Sequence, residues 1–293
     1  MLRDVSEWFF ESYGEKSTLS KEELSSPDGT QYIIKYPREF KDRINWEDVN
    51  EIVAAQIAKL LGLKTIQAEV AYRKGKRGCL MLHFVKQYDA DFGEPGATLL
   101  EAELEDYKSI QNSEKRSEIL TVDCFTVIQN FSLFQVMKED FVNMQVYDIL
   151  IGNQDRHPYN WQLLFKDNSP FFGPLYDNGA SLGWQLSDEQ LRVMNDSDAK
   201  LNKYFKNTKV KAGLIEDTQA PLKAKDILHS CNDFFPDETA RVIQKLEKFN
   251  FNEYNFFIDA MPLISTVRKE FLKKFILFRL NKILTILRGD NHE

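Results

Sequence analysis

Hydrophobic positions along this chain follow two periods, and the switch between them falls near residue 90. Before it, short runs rich in β-branched and aromatic residues alternate with turns. Thr30-Gln31-Tyr32-Ile33-Ile34-Lys35-Tyr36 reads as a strand, set off by a turn at Ser26-Pro27-Asp28-Gly29. An aromatic lead-in, Trp8-Phe9-Phe10, and a polar loop, Gly14-Glu15-Lys16-Ser17-Thr18, stand ahead of that turn, so two extended segments make a hairpin at the front of the chain. Trp46, Val49, Val53, Ile57 and Leu60 then recur at helical spacing. With Asn45 as a cap and Gly62 as a stop, they predict a helix over 46–62. Strands are expected near 66–73 and 78–86, joined by the basic turn Lys74-Gly75-Lys76-Arg77-Gly78.

Pro95 and Gly96 sit in the connection that follows, and beyond them intervals of three and four dominate. Helices are predicted near 98–112, 114–131 and 138–151. A strand at 161–166, a turn at Lys166-Asp167-Asn168-Ser169 and a second strand at 171–176 interrupt them, and helical patterns resume from about residue 185 to the end. No internal repeat or low-complexity tract appears. A small sheet with one helix, then a large helical part with a hairpin inside it, predicts an α+β fold of two lobes, 1–90 and 91–293.

Composition narrows the classes. A chain of 293 residues, 43% apolar and 28% charged, is long enough to bury a large core. Its net charge of −7 argues against direct nucleic-acid binding, which needs a basic face. Cys79, Cys124 and Cys231 form no metal pair, and buried reduced thiols are expected. The N-terminus, acidic at Asp4, Glu7 and Glu11, is no secretion signal, and no apolar run reaches a membrane-spanning length; the chain reads as cytoplasmic. The basic helix expected over 267–288 is read as a packed terminal helix with a solvated face rather than a membrane anchor.

The chemistry concentrates in Leu150-Ile151-Gly152-Asn153-Gln154-Asp155-Arg156-His157-Pro158-Tyr159-Asn160-Trp161, answered by Leu175-Tyr176-Asp177-Asn178-Gly179. Phosphoryl transfer from ATP needs one carboxylate to accept the proton of the attacking hydroxyl, and an amide and a second carboxylate to hold magnesium. Asp155, Asn160 and Asp177 supply that set, and with the order of the lobes they point to a protein-kinase-like architecture. Lys35, at a strand end before the helix, is placed to reach ATP phosphates. Glu51, beside Ala54, Ala55 and Ala58, is its preferred partner, with Glu47 the alternative. The loop holding Ser17 and Thr18 stands where a phosphate-covering loop belongs, although it lacks repeated glycines, and its hydroxyls suit a phosphorylation switch. Phe84, Val85, Lys86 and Gln87 are candidates for the hinge that meets adenine. His157 is read as a clamp for the loop, since His83, His229 and His292 make no spaced metal set with it.

These motifs resemble the HipA-like serine/threonine kinases: Ile149-Leu150-Ile151-Gly152 before Asn153-Gln154-Asp155-Arg156-His157 and Asn160, Glu51 with Ala54 and Leu60-Leu61-Gly62-Leu63, and Pro174-Leu175-Tyr176-Asp177-Asn178-Gly179. The resemblance spans roughly 14–290. It implies a toxin-type protein kinase using ATP and Mg2+, with Asp155 as base, Asn160 and Asp177 as metal ligands, Lys35 on the phosphates and Glu51 as its partner. It implies a protein substrate and a cognate antitoxin. The chain looks like the compact members, without the extra N-terminal subdomain. Asn178 and Gly179 stand where protein kinases carry Phe-Gly, so a regulatory Phe switch is not expected. A lipid or small-molecule kinase would use the same residues, and a catalytically silent interaction protein is the third class considered.

Overall fold

The computed structural model describes residues 2–13, 20–41, 44–216 and 222–289. Within the front lobe lie β1 (Arg3–Asp4), β2 (Phe9–Tyr13), β3 (Lys21–Ser25), β4 (Gln31–Lys35), α1 (Glu47–Leu60), β5 (Ala68–Arg73) and β6 (Lys76–Leu82). The strands form one sheet in the order β1-β5-β6-β4-β3-β2, antiparallel throughout except for β1 on β5. The β3–β4 turn closes as its residues dictate: Gly29 takes φ 84°, its N–H donates to the Ser26 carbonyl, and the Asp28 carboxylate accepts from Thr30 N–H at 3.1 Å. The aromatic lead-in runs into β2, and β1 precedes it. Buried Arg73 pins it by donating to the carbonyls of Val5, Ser6 and Trp8, contacts that no hydrophobic period reports.

Helix α1 carries the site's scaffold. Its N-cap is Trp46 rather than Asn45, and no side chain caps it; Asn45 instead donates to Glu47 Oε1 at 3.2 Å. Two cations steady the first turn, Arg77 on Asp48 at 2.6 Å and Arg38 on Glu47 at 3.1 Å. The far face, Val49, Val53, Ala54, Ile57 and Ala58, is buried in the same apolar cluster as the back-lobe helices. Each buried Val or Ile there contributes about 1.5–3 kcal/mol, and because α1 packs on β5 and β6 as well, it ties the sheet to the back lobe. The front sheet has smaller clusters of its own: Val5, Leu24, Ile34, Tyr36, Ala71 and Leu80 make up one, and Ile66, Cys79 and Met81 another.

After the sheet comes the short α2 (Phe84–Gln87), and the back lobe follows with β7 (Phe92–Pro95), α3 (Gly96–Glu103), α4 (Tyr107–Gln111), α5 (Ser117–Gln129) and α6 (Phe134–Ile151). The helix expected over 98–112 is two, broken where Leu104 turns extended at φ −105°, ψ 105°. Pro95 and Gly96 do not simply connect: Pro95 ends β7 opposite Gln162, and a Cβ on Gly96 would lie 2.2 Å from the Trp161 ring. Strands β8 (Gln162–Lys166) and β9 (Ser169–Phe172) meet at Asp167 and Asn168, both left-handed, the geometry of a tight hairpin. Strand β9 ends earlier than the expected 176, and Leu175 instead bridges to Thr65.

The rest is α7 (Asp188–Asn195), α8 (Asp198–Lys206), β10 (Lys209–Val210) paired with β11 (Leu222–Lys223), α9 (Ala224–Phe234), α10 (Pro236–Glu247), α11 (Phe251–Ala260) and α12 (Thr266–Arg288). Helix α12 is packed as expected, and it also buries Arg268 and Arg279. Among the described residues no helix is long and apolar enough to cross a membrane, and Cys79, Cys124 and Cys231 are buried and unbridged.

Candidate active site

Helix α6 stops at Gly152, whose φ of 68° provides the left-handed cap that lets the chain reverse. The next residues are held from below. Buried Asp148, in the last turn of α6, accepts from Arg156 Nε at 2.9 Å and Nη2 at 3.0 Å, and from Asn153 Nδ2 at 3.0 Å. Arg156 Nη1 also donates to the carbonyls of Asn160 at 2.6 Å and Tyr176 at 2.5 Å, and Nη2 donates to Asn178 Oδ1. One guanidinium thus joins the helix end, the loop at 153–160 and the loop after β9. The fork of donors on arginine suits this, and lysine would not replace it.

Above that hub a cleft of about 470 Å³ separates the lobes, with Lys35, Asp155, Asn160 and Asp177 all in its lining. Asp155 is partly exposed, and its Oδ1 lies 2.9 Å from Lys211 Nζ. Asn160 Nδ2 donates to the Asp155 carbonyl at 2.8 Å, which commits the amide nitrogen and leaves its oxygen as the end available to a cation. Asp177 takes φ 58°, a left-handed conformation that Asp tolerates better than most residues. Gly179 is required for a different reason: a Cβ there would stand 2.8 Å from the Glu47 carbonyl oxygen.

Lys35 pairs with Asp177 at 3.0 Å, not with Glu51 or Glu47. Glu51 instead accepts from the backbone N–H of Asn178 at 2.5 Å and from its side chain at 3.0 Å, while Glu47 is taken by Arg38 and Asn45. The expected Lys35–Glu51 pair is therefore corrected: α1 acts on the loop that carries Asp177, and Lys35 meets Asp177 directly. Burial works against the charge on Lys35, but Asp177 and then Glu51 outweigh it and raise its pKa. Burial also opposes the charge on Asp177, and Lys35 reverses it, lowering that pKa. Burial pushes the Glu51 carboxyl up to about 7.

Other expected residues fall elsewhere. Ser17 and Thr18 lie outside the described residues. The hinge candidates 84–87 coil into one helical turn, in which Phe84 lines the cleft and stacks on Tyr176 at 5.1 Å. Lys86 is exposed and does not line the cleft, and its N–H and that of Gln87 both donate to the His83 carbonyl. His157 clamps the loop through its backbone, donating to the Asp155 carbonyl and accepting from Asn160 N–H. Its buried Nδ1 has no hydrogen-bond partner among the described residues, and burial lowers its pKa despite nearby Asp155. Sequence reading missed Asp148 and Lys211, which lie at no motif spacing, and named Asn178 beside Asp177 without pairing it with Glu51. A wider groove of about 820 Å³ on the front lobe, between Phe10, Tyr36 and Lys76, shares none of these residues except Arg38.

Residues 13–237 match the model of the HipA-like C-terminal domain. The chain is 27% identical over 263 residues to the serine/threonine-protein kinase CtkA of Helicobacter pylori, covering 87% of this chain and 78% of that protein. The crystal structure of the H. pylori proinflammatory kinase CtkA aligns over the whole of both chains with a TM-score of 0.79 at 23% identity. A chain of the Shewanella oneidensis toxin–antitoxin complex of HipA, HipB and operator DNA aligns with a TM-score of 0.55 at 12% identity, over 97% of this chain and 69% of that one. The shared fold is bilobal and protein-kinase-like.

Proposed function

The chain belongs to the HipA-like C-terminal domain family, and on that premise we propose that it is an ATP-dependent serine/threonine protein kinase of the HipA-like toxin type. The observation that carries the reading is the meeting of Asp155, Asn160, Asp177 and Lys35 in one interlobe cleft. The substrate hydroxyl enters beside Asp155, which accepts its proton as the oxygen attacks the γ-phosphorus and the bond to the β,γ-bridging oxygen breaks, releasing ADP. Lys35 leaves Asp177 for the phosphates. Ile33, Ile66, Met81 and Phe84 at the other end of the cleft give the adenine ring an apolar slot.

The donor set fits magnesium. Among the described residues no cluster of three or more His, Cys, Asp or Glu side chains could hold a metal alone. Magnesium takes one or two protein oxygens and completes its shell with phosphate and water, which suits Asp177 and Asn160 Oδ1. Bound there, it would neutralise charge on the transferring phosphoryl group.

A protein hydroxyl is favoured over a lipid or small molecule because the 27%-identical relative is a serine/threonine-protein kinase. The HipB in the Shewanella assembly supports a cognate antitoxin as partner, and the acidic balance of this chain supports leaving DNA contact to that partner. A cytoplasmic setting goes with this role. Incubating the protein with γ-labelled ATP and either cell proteins or lipid vesicles tests the substrate class. Label on serine or threonine of protein is expected, with Asp177→Ala binding magnesium-ATP at least about tenfold more weakly. Label confined to lipid would move the assignment to a lipid kinase. No label in either would overturn it.

A further inference from the structure

We infer that Lys211 is a positioning residue for this transfer, holding the Asp155 carboxylate where the substrate hydroxyl must meet it; the inference rests on the kinase reading above. The contact runs from Lys211 Nζ to Asp155 Oδ1 at 2.9 Å, between residues 56 positions apart. Asp155 is 43% exposed, and ion pairs this open contribute little to folding. The scaffolding behind Lys211 is nonetheless extensive. Ala212 adopts a left-handed φ of 55°, and its carbonyl accepts from buried Gln145 on α6 at 2.9 Å. Gly213 donates to the Arg156 carbonyl at 2.8 Å and accepts from Trp161 Nε1 at 2.7 Å. A Cβ on Gly213 would stand 2.7 Å from Met144 Cε.

Every one of those anchors belongs to an element that carries the catalytic loop: α6, the loop itself, or the residue that leads into β8. The backbone of Lys211 is therefore fixed in the frame of Asp155, and its side chain lines the same cleft. A base must sit within hydrogen-bond reach of the proton it takes, and a displacement of about 1 Å costs on the order of a hundredfold in rate. A half-exposed carboxylate without its ammonium has more than one rotamer open to it. Lys211 removes that freedom.

The test compares wild type, Lys211→Met, Lys211→Arg and Lys211→Cys, the last before and after aminoethylation with 2-bromoethylamine. Aminoethylation rebuilds a lysine-like ammonium at 211, and the three native cysteines are buried from the reagent. Lys211→Met should lose roughly tenfold or more in kcat with KM for ATP within about twofold, because positioning of the base and not nucleotide binding is lost. Lys211→Arg should keep most of the activity, and aminoethylated Lys211→Cys should recover it. Wild-type kcat in Lys211→Met, or no recovery on aminoethylation of a variant that melts like wild type, overturns the inference alone. So does loss of the folding transition in every variant, which would make Lys211 structural. Wild type that transfers no phosphoryl group to any acceptor overturns this inference and the kinase reading together.

Discussion

Arg156 and Lys211 each pair with an aspartate of the catalytic region, in opposite surroundings. Arg156 is 1% exposed and satisfies Asp148, two backbone carbonyls and the Asn178 amide oxygen; Lys211 reaches a 43% exposed Asp155 across the cleft rim. Removing one partner of a buried pair strands the other without water, whereas solvent compensates an exposed one. The lower tier of the site is thus part of the fold, and the upper tier is adjustable for chemistry. Stability and activity should respond separately to changes in the two tiers.

The sharpest break is Arg156→Met, which leaves Asp148 buried and uncompensated. It should destabilise the protein by about 3–5 kcal/mol in denaturant unfolding, whereas Lys211→Met should change stability by less than about 1 kcal/mol. Equal losses would erase the distinction between the tiers.

Glu51 sharpens the same contrast through pH. Its carboxyl, ordinarily near 4.5, is pushed by burial up to about 7 in the fold. A folded group that keeps its proton where the unfolded chain has released it stabilises the fold fully at low pH and loses that contribution as pH rises through its folded pKa. Between roughly pH 4.5 and 7, wild type should therefore lose more stability than Glu51→Gln, measured by unfolding across that range. Parallel curves for the two proteins would remove Glu51 from the buried tier.

Gly179→Ala acts where α1 touches the Asp177 loop. With its new Cβ 2.8 Å from a backbone oxygen, it should cost about 1–3 kcal/mol and weaken nucleotide binding, read by thermal unfolding with and without magnesium-ATP. The smallest effect is expected at Arg268. It is as buried as Arg156, yet among the described residues only its Nη2 finds an acceptor, the Leu186 carbonyl at 2.6 Å, while its Nε and Nη1 have no hydrogen-bond partner there, and it stacks on Trp46 at 4.8 Å. Replacing such a cation with an apolar side chain of similar length is often neutral, so Arg268→Met should stay within about 1 kcal/mol of wild type. A loss matching that of Arg156→Met would show that burial alone, not satisfaction of the buried group, sets the difference.

What could be read in the chain was local. The Ser26–Gly29 turn, the apolar stripe of α1 and the motif spacing of Asp155, Asn160 and Asp177 are patterns of the sequence itself; the turn and the stripe form, and the three site residues meet in one cleft. Contacts across long stretches of chain could not be read this way. Glu51 meets Asn178 over 127 positions and Lys211 meets Asp155 over 56, and hydrophobic period reports which face is buried but not which polar group it faces. The same limit explains β1 and β7, whose short sequences become strands only because β5 and β8 supply their partners.

The central claim is that Asp155 serves as the base of a phosphoryl transfer while the buried tier holds the nucleotide-binding frame. It is tested most directly by measuring γ-phosphate transfer to serine or threonine and magnesium-ATP affinity side by side, for wild type and Asp155→Asn. The account predicts transfer reduced on the order of a hundredfold or more, with affinity and melting temperature nearly unchanged. Transfer by Asp155→Asn at the wild-type rate would contradict it.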